Sequence, residues 1–264
     1  MRVETFANCT LYLGDVREIV PGLEQKHRLA VSDVPYKLTA GGVPKAGGPH
    51  KVMNGGWMGG YAIDGKPVQC DITWDEIFDV LSAALEPDAE AYVMANDKNV
   101  IPAGIAAGAA GLKTHNILAW DKGTATANRW FMKNLEFTLF FYRGRARAIA
   151  DCSLNQLAPI RHKDATDHPT EKPVALMALY VGASARAGEA VIDPFMGSGT
   201  TGLACLKTGN PFTGIEIDEK HFDTACRRHE RALEELQADP DSPNVLWKQR
   251  SFLADDAAMV PSLL

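Results

Sequence analysis

The chain has 264 residues, of which 46% are hydrophobic, 23% charged and 8% aromatic; these proportions exclude a disordered, collagen-like or disulfide-framework chain. The formal net charge of −6 excludes a uniformly basic nucleic-acid coat but leaves room for a local basic patch. The cysteines (Cys9, Cys70, Cys152, Cys205, Cys226) are scattered with no C-x-x-C pair, so no zinc spacing is present, no metal is expected, and the expected setting is a reducing cytoplasm.

In chain order, short apolar runs predict strands at 29–33, 91–96, 116–120, 137–142, 189–193 and 212–217. Amphipathic or Ala-rich stretches predict helices at 72–85, 100–111, 173–186, 200–208 and 219–237. This alternation predicts an α/β fold with a doubly wound, mostly parallel sheet covered by helices. No helical pattern separates 116–120 from 137–142, which predicts that the two form an antiparallel pair at one sheet edge, giving an antiparallel edge strand. Residues 37–71 are crowded with Gly and Pro and read as irregular, and 143–167 carry Arg143, Arg145, Arg147, Arg161 and Lys163 against few acids. One domain over 1–239 is expected, followed by a weakly patterned tail over 240–264. No segment reaches the roughly 20 apolar residues that cross a bilayer, and the opening MRVETFANCT lacks the apolar core of a signal peptide.

Two segments carry chemistry. In the first, an apolar strand ends at Asp193 and runs through Pro-Phe195-Met-Gly197-Ser198-Gly199-Thr200-Thr-Gly202 into a helix. Gly197, Gly199 and Gly202 satisfy G-x-G-x-x-G, and Glu216 closes the next strand, where an acid suits ribose hydroxyls; NAD is one ligand of such a turn. Asp193 would repel a pyrophosphate, however, and no Lys follows Gly199 as a P-loop requires. S-adenosylmethionine, with a ribose, an ammonium and a sulfonium but no phosphate, fits an acidic strand end better.

The second segment is Val31-Ser32-Asp33-Val34-Pro35-Tyr36. Pro35 forces Val34 to be extended, because helical geometry there clashes with the ring. The strand end then offers the Asp33 carboxylate and the Val34 carbonyl as two acceptors beside the flat ring of Tyr36, a receptor for an exocyclic amine on a planar base.

Together these motifs resemble the amino-methyltransferases of DNA, in the β-class order that places the catalytic motif before the cofactor motif. Asp33-Val34-Pro35-Tyr36 is similar to the family's D-P-P-Y, Asp193 to Thr201 to its D-P-F-x-G-S-G-T-T, and His168-Pro-Thr170-Glu-Lys172-Pro173 to its H-P-T-x-K-P. Leu13-Gly14-Asp15 and Gly214-Ile-Glu216-Ile-Asp218 also fall where the family places them. The resemblance implies a seven-stranded Rossmann-like methyltransferase sheet, circularly permuted. It further implies that Asp193, Phe195, Gly197, Ser198, Gly199, Thr200 and Glu216 hold S-adenosylmethionine, with Glu216 on the ribose. By the same resemblance Asp15 reaches the adenine end, and Thr170 and Lys172 lie near the methionine carboxylate.

The implied reaction is methyl transfer to the N6 of an adenine flipped out of double-stranded DNA and stacked on Tyr36; cytosine N4 is the alternative within the same chemistry. Asp in the motif's first position points to adenine by resemblance, since cytosine enzymes more often begin with Ser. Valine replaces the family's first proline but keeps the carbonyl; it leaves φ unfixed, so a DNA-binding regulator without turnover is a further reading, and an oxidoreductase using the glycine turn another. DNA contacts are expected from Arg143, Arg145, Arg147, Arg161 and Lys163, and from Lys45 and Lys51 in the glycine-rich loop. So short a recognition segment makes a homodimer attractive. The sequence names no restriction endonuclease partner and no target site.

Overall fold

The computed structural model describes residues 1–35, 62–63, 66–67, 72–126, 131–158, 160 and 172–238. The chain begins with β1 (Arg2–Phe6), β2 (Cys9–Leu13), α1 (Val16–Ile19), β3 (His27–Ser32), β4 (Ala62–Ile63), β5 (Lys66–Pro67), α2 (Trp74–Ala84) and β6 (Leu85–Ala95). It continues with α3 (Val100–Ala109), β7 (Lys113–Thr126), β8 (Lys133–Arg143), β9 (Leu157–Ala158), α4 (Val174–Ser184), β10 (Val191–Asp193), α5 (Thr200–Thr208), β11 (Phe212–Glu216) and α6 (Glu219–Ala238).

Local chemistry sets several of these boundaries. Thr73 and Glu76 form a reciprocal capping box at the start of α2, satisfying amides that have no partner inside the helix. Gly199 and Gly209 bracket α5 with φ of +82° and +74°, a left-handed backbone that only glycine adopts without strain.

Every residue of β3 is buried, as expected of a parallel strand covered on both faces. Alternation along it splits the core: Leu29 and Val31 face α4, α5 and α6, whereas Ala30 faces α1, α2 and α3. The main sheet runs β1-β2-β11-β10-β3-β6-β8-β7-β9. Strands β2, β11, β10, β3 and β6 are parallel; β8 is antiparallel to both β6 and β7.

The doubly wound, mostly parallel α/β sheet expected from the sequence is therefore present, with nine strands among the described residues rather than seven. The β1–β2 hairpin escaped prediction because its strands are short and β1, mostly exposed, is interrupted by Arg2 and Glu4. The antiparallel pair expected at one edge is β8 and β7, and only the two-residue β9 lies beyond β7. Residues 37–71, read as irregular, contain the small antiparallel β4–β5 pair. The tail after 238 lies outside the described residues. Among the described residues no helix is long and apolar enough to cross a membrane.

From β3 the chain crosses through α2 to β6 on one side; from the adjacent β10 it crosses through α5 to β11 on the other. Neighbouring parallel strands whose connections depart in opposite directions leave a crevice at their carboxyl ends, where open α/β sheets bind ligands. Asp33 and Asp193 sit at the two strand ends that flank it.

Glycines of the cofactor-like turn also serve packing. A Cβ on Gly202 would sit on the ring of His229 and 2.7 Å from Phe212 Cε1, whereas one on Gly108 in α3 would meet nothing within 4 Å. Gly202→Ala is expected to cost about 1–3 kcal/mol in denaturant unfolding, and Gly108→Ala to stabilise by about 0.5–1 kcal/mol. Equal effects at the two sites would contradict this packing.

Candidate active site

Asp193 is the hinge of the crevice. It is 3% exposed, and its oxygens accept hydrogen bonds from Ser32 Oγ at 2.5 Å, the Phe195 amide at 3.1 Å and Thr201 Oγ1 at 2.8 Å. Burial pushes its carboxyl up to about 7 against the pull of these three donors, and the nearby Asp33 charge pushes the same way. Sequence reasoning put Asp193 on the ligand; the structure shows its carboxylate engaged inside the protein, joining β3, the turn and α5.

Asp33 stands one residue beyond β3 with about a third of its side chain exposed. Its Oδ2 meets Lys172 Nζ at 2.6 Å, and the same ammonium lies 3.2 Å from Glu136 Oε2. Lys122 Nζ approaches the other oxygen of Glu136 at 3.4 Å. Burial raises the Asp33 carboxyl above its ordinary range, Lys172 pulls it down and Glu136 pushes it up. Glu136, despite burial, is held below its ordinary range by Lys172 and Lys122. Lys172, which the resemblance implied at a ligand carboxylate, thus sits against the expected catalytic acid. Glu136 was not singled out in the sequence; an acid directly before the apolar run at 137–142 was the available signal.

Val34 is 2% exposed, so packing restrains the residue whose φ a proline ring would have fixed. Pro35 is half-buried. Tyr36 and Thr170 lie outside the described residues, as do Lys45, Lys51, Arg161 and Lys163.

Across the crevice, Glu216 Oε2 accepts from the Gly197 amide at 2.9 Å and Oε1 from the Asp218 amide at 2.8 Å. Burial raises its carboxyl, and these amides partly offset the effect. Gly197 has φ of +54° and a Cβ there would meet nothing within 4 Å, so the turn presents bare backbone to open space beside Glu216. Parallel pairing of Leu13 with Glu216 brings Asp15 alongside, where it caps α1 through the Arg17 amide and pairs with the Arg17 side chain at 2.6 Å. Phe195 packs on the α1–α3 side of the core. Arg228 on α6, unremarked in the sequence, donates to Ser198 O and Oγ at 2.8 and 2.9 Å and to Thr200 Oγ1 at 3.2 Å. The side chains of Ser198 and Thr200 therefore turn toward α6.

The arginine segment corrects an expectation. Arg143 pairs across the sheet with Ala89, whereas Ser32, next to Asp33, pairs with Val93. At about 3.3 Å per residue, Arg143 lies roughly 15 Å behind Asp33 along the strands, and Arg145 and Arg147 follow it away from the crevice edge. Arg143 donates to Glu86 O at 2.6 Å and to Ser82 O at 2.9 Å. Arg147 pairs with Glu189 at 2.5 Å and approaches the buried Glu90 at 3.8 Å. These two guanidiniums brace the rear of the sheet rather than DNA. Arg145 shares their edge, its amide donating to Asp88 at 2.8 Å. No cluster of acids, histidines or cysteines able to hold a metal occurs among the described residues.

Residues 28–227 match the family model described as DNA methylase, of the N6/N4 methyltransferase type. A type II methyltransferase of Streptococcus pneumoniae, M2.DpnII, is 26% identical over 220 residues, 75% of this chain and 81% of its own length. The fold is similar to that in the M1.HpyAVI–SAM complex, with a TM-score of 0.63 at 22% identity over 83% of this chain and 99% of that one. It is also similar to that of the cytosine-N4-specific PvuII DNA methyltransferase, with a TM-score of 0.62 at 16% identity over 87% and 92%.

Two predictions follow from the charges. The folded protein retains the Asp193 proton from the ordinary 3.8 up to about 7, so this group's contribution to stability is full at low pH and declines across that window. Asp193→Asn is therefore expected to gain stability relative to the parent as the pH rises through the window in denaturant titrations; a constant difference would contradict a buried carboxyl. Arg147→Ala, which takes the guanidinium from Glu189 while Arg28 stays 3.1 Å from Glu90, is expected to cost about 1–3 kcal/mol while leaving the salt dependence of DNA binding unchanged.

Proposed function

This chain belongs to the N6/N4 family of S-adenosylmethionine-dependent DNA methylases, and we propose that it methylates the N6 of an adenine flipped out of double-stranded DNA. The observation that carries the adenine reading is Asp33, rather than Ser, at the head of the strand-end motif, beside the crevice. Cytosine N4 is the competing substrate, and one of the similar folds described above carries that specificity.

The crevice suits the cofactor: it is walled by Asp33 and Glu216, opens on bare backbone at Gly197, and has no lysine in the turn to favour a phosphate. Glu216 would take the ribose hydroxyls, Asp15 the adenine end, and Phe195, Gly197 and Gly199 the turn's contacts, with Asp193, Ser198 and Thr200 shaping the turn from behind. Thr170 belongs to the same proposal at the methionine carboxylate. When bound, S-adenosylmethionine supplies a sulfonium methyl and leaves as a neutral thioether.

The chain's own part is to make a poor nucleophile competent. An exocyclic amine shares its lone pair with the ring. Hydrogen bonds from its two protons to the Asp33 carboxylate and the Val34 carbonyl favour a pyramidal nitrogen whose lone pair points along the new N–C bond. The surplus proton on nitrogen would pass to Asp33 and on to solvent. Tyr36 supplies a stacking face for the flipped base, a contact of about 1–3 kcal/mol. DNA would lie against the crevice edge, with Lys45, Lys51, Arg161 and Lys163 as its cationic contacts and a second copy of the chain extending the surface.

Incubation with unmethylated DNA and cofactor, followed by digestion to nucleosides and mass spectrometry, is expected to yield N6-methyladenine. N4-methylcytosine alone would reassign the substrate. Asp33→Ala is expected to bind cofactor and DNA but lose at least about a hundredfold in transfer rate. Equal rates in parent and variant would remove Asp33 from catalysis, and no transfer by either would leave a DNA-binding regulator.

A further inference from the structure

Four charged side chains from four parts of the chain form one alternating row at the crevice edge: Asp33 after β3, Lys172 before α4, Glu136 on β8 and Lys122 on β7. Lys172 is the pivot. Its side chain is 11% exposed, and its Nζ is shared between Asp33 at 2.6 Å and Glu136 at 3.2 Å. A largely desolvated ammonium between two carboxylates divides its field between them.

We propose that Lys172 is a positioning residue that keeps the Asp33 carboxylate ionised and aimed at the target amine, and that Glu136, by competing for the same ammonium, sets how much of that charge Asp33 receives. This deepens the proposed function and rests on it. Among the described residues, the charged groups facing Asp33 are Lys172 ahead of α4, Glu136 on β8 and Asp193 on β10, with Lys122 on β7 behind Glu136. Without Lys172, Asp33 would stand in the crevice facing two carboxyl groups and, among the described residues, no cation at hydrogen-bond distance. It would take up a proton, and a protonated Asp33 loses acceptor capacity toward the amine. Glu136 in turn keeps Lys172 from collapsing wholly onto Asp33, which would occupy the oxygen the substrate needs.

The role that the family resemblance implied for Lys172, binding the methionine carboxylate, predicts something different: loss of cofactor affinity at every pH. The experiment compares the parent with Lys172→Met, Lys172→Arg and Glu136→Gln. It reads single-turnover transfer at saturating cofactor across pH, cofactor affinity by calorimetry, and the carbon-13 shift of the Asp33 carboxyl in the unliganded protein.

Lys172→Met is expected to slow transfer at pH 7 by roughly tenfold or more, with activity recovering as the pH rises and cofactor affinity unchanged within about twofold. Lys172→Arg is expected to restore most of the rate. Glu136→Gln is expected to move the acid limb the opposite way, to lower pH, and the Asp33 carboxyl is expected to titrate in step with both shifts. A Lys172→Met profile merely scaled down, a loss carried by cofactor affinity, or shifts of the same sign in both variants would overturn the proposal. If Lys172→Met folds poorly, Glu136→Gln and the carboxyl titration decide it. An enzyme that transfers methyl to neither base defeats the functional reading instead, while the carboxyl titration still judges Lys172.

Discussion

A carboxylate taken out of water must be given donors or lose its charge. Asp193 is the point where this rule organises the molecule. Ser32 reaches it from one strand end, Thr201 from the first turn of α5 and the Phe195 amide from the turn itself. Thr201 lies also within 3.3 Å of the Val31 carbonyl, so the same set of bonds holds the end of β3 against the start of α5. The acid that most resembles a ligand contact in sequence thus fixes the relative placement of the two motifs. Its neighbours at the crevice are Asp33 on one side and Glu216 on the other, both less deeply buried than Asp193.

The sheet separates two kinds of charge. At its rear edge Arg28 meets Glu90 at 3.1 Å and Arg147 meets Glu189 at 2.5 Å around a Glu90 that is 2% exposed, with Arg28 Nη1 and Glu90 Oε2 buried and without a hydrogen-bond partner among the described residues. At its front edge the ionic row through Lys172 leaves a third of the Asp33 side chain open. The first arrangement braces strand starts, and the second leaves an acceptor within reach of a substrate. A net charge of −6 is compatible with DNA chemistry on these terms, because what matters is which cations face the crevice.

Much of this was legible in the sequence where local rules dominate. The helix predicted over 200–208 coincides with α5 because a left-handed glycine closes each end, and the two motifs fall on strand ends as Pro35 and the glycine turn require. What was not legible depends on register. Arg143, Arg145 and Arg147 read as a basic patch from density alone. Only the antiparallel pairing of β8 with β6 sends them to the rear edge. The partners of Asp33 were hidden for the same reason: Lys172 is 139 positions away, and nothing local links it or Glu136 to the catalytic strand. Glycine conservatism was half-read as well, since Gly202 makes room for His229 rather than for a ligand.

The permuted order of the motifs has a consequence for how the chain acquires its shape. Strand β3 is made early and can pair with β6 at once, but its other flank waits for β10, and the Ser32–Asp193 bond closes a loop of 161 positions. During synthesis β3 therefore emerges with one flank of backbone amides and carbonyls unmatched until β10, some 161 positions later, has left the ribosome. High contact order of this kind slows folding, and it makes the crevice one of the last features to form.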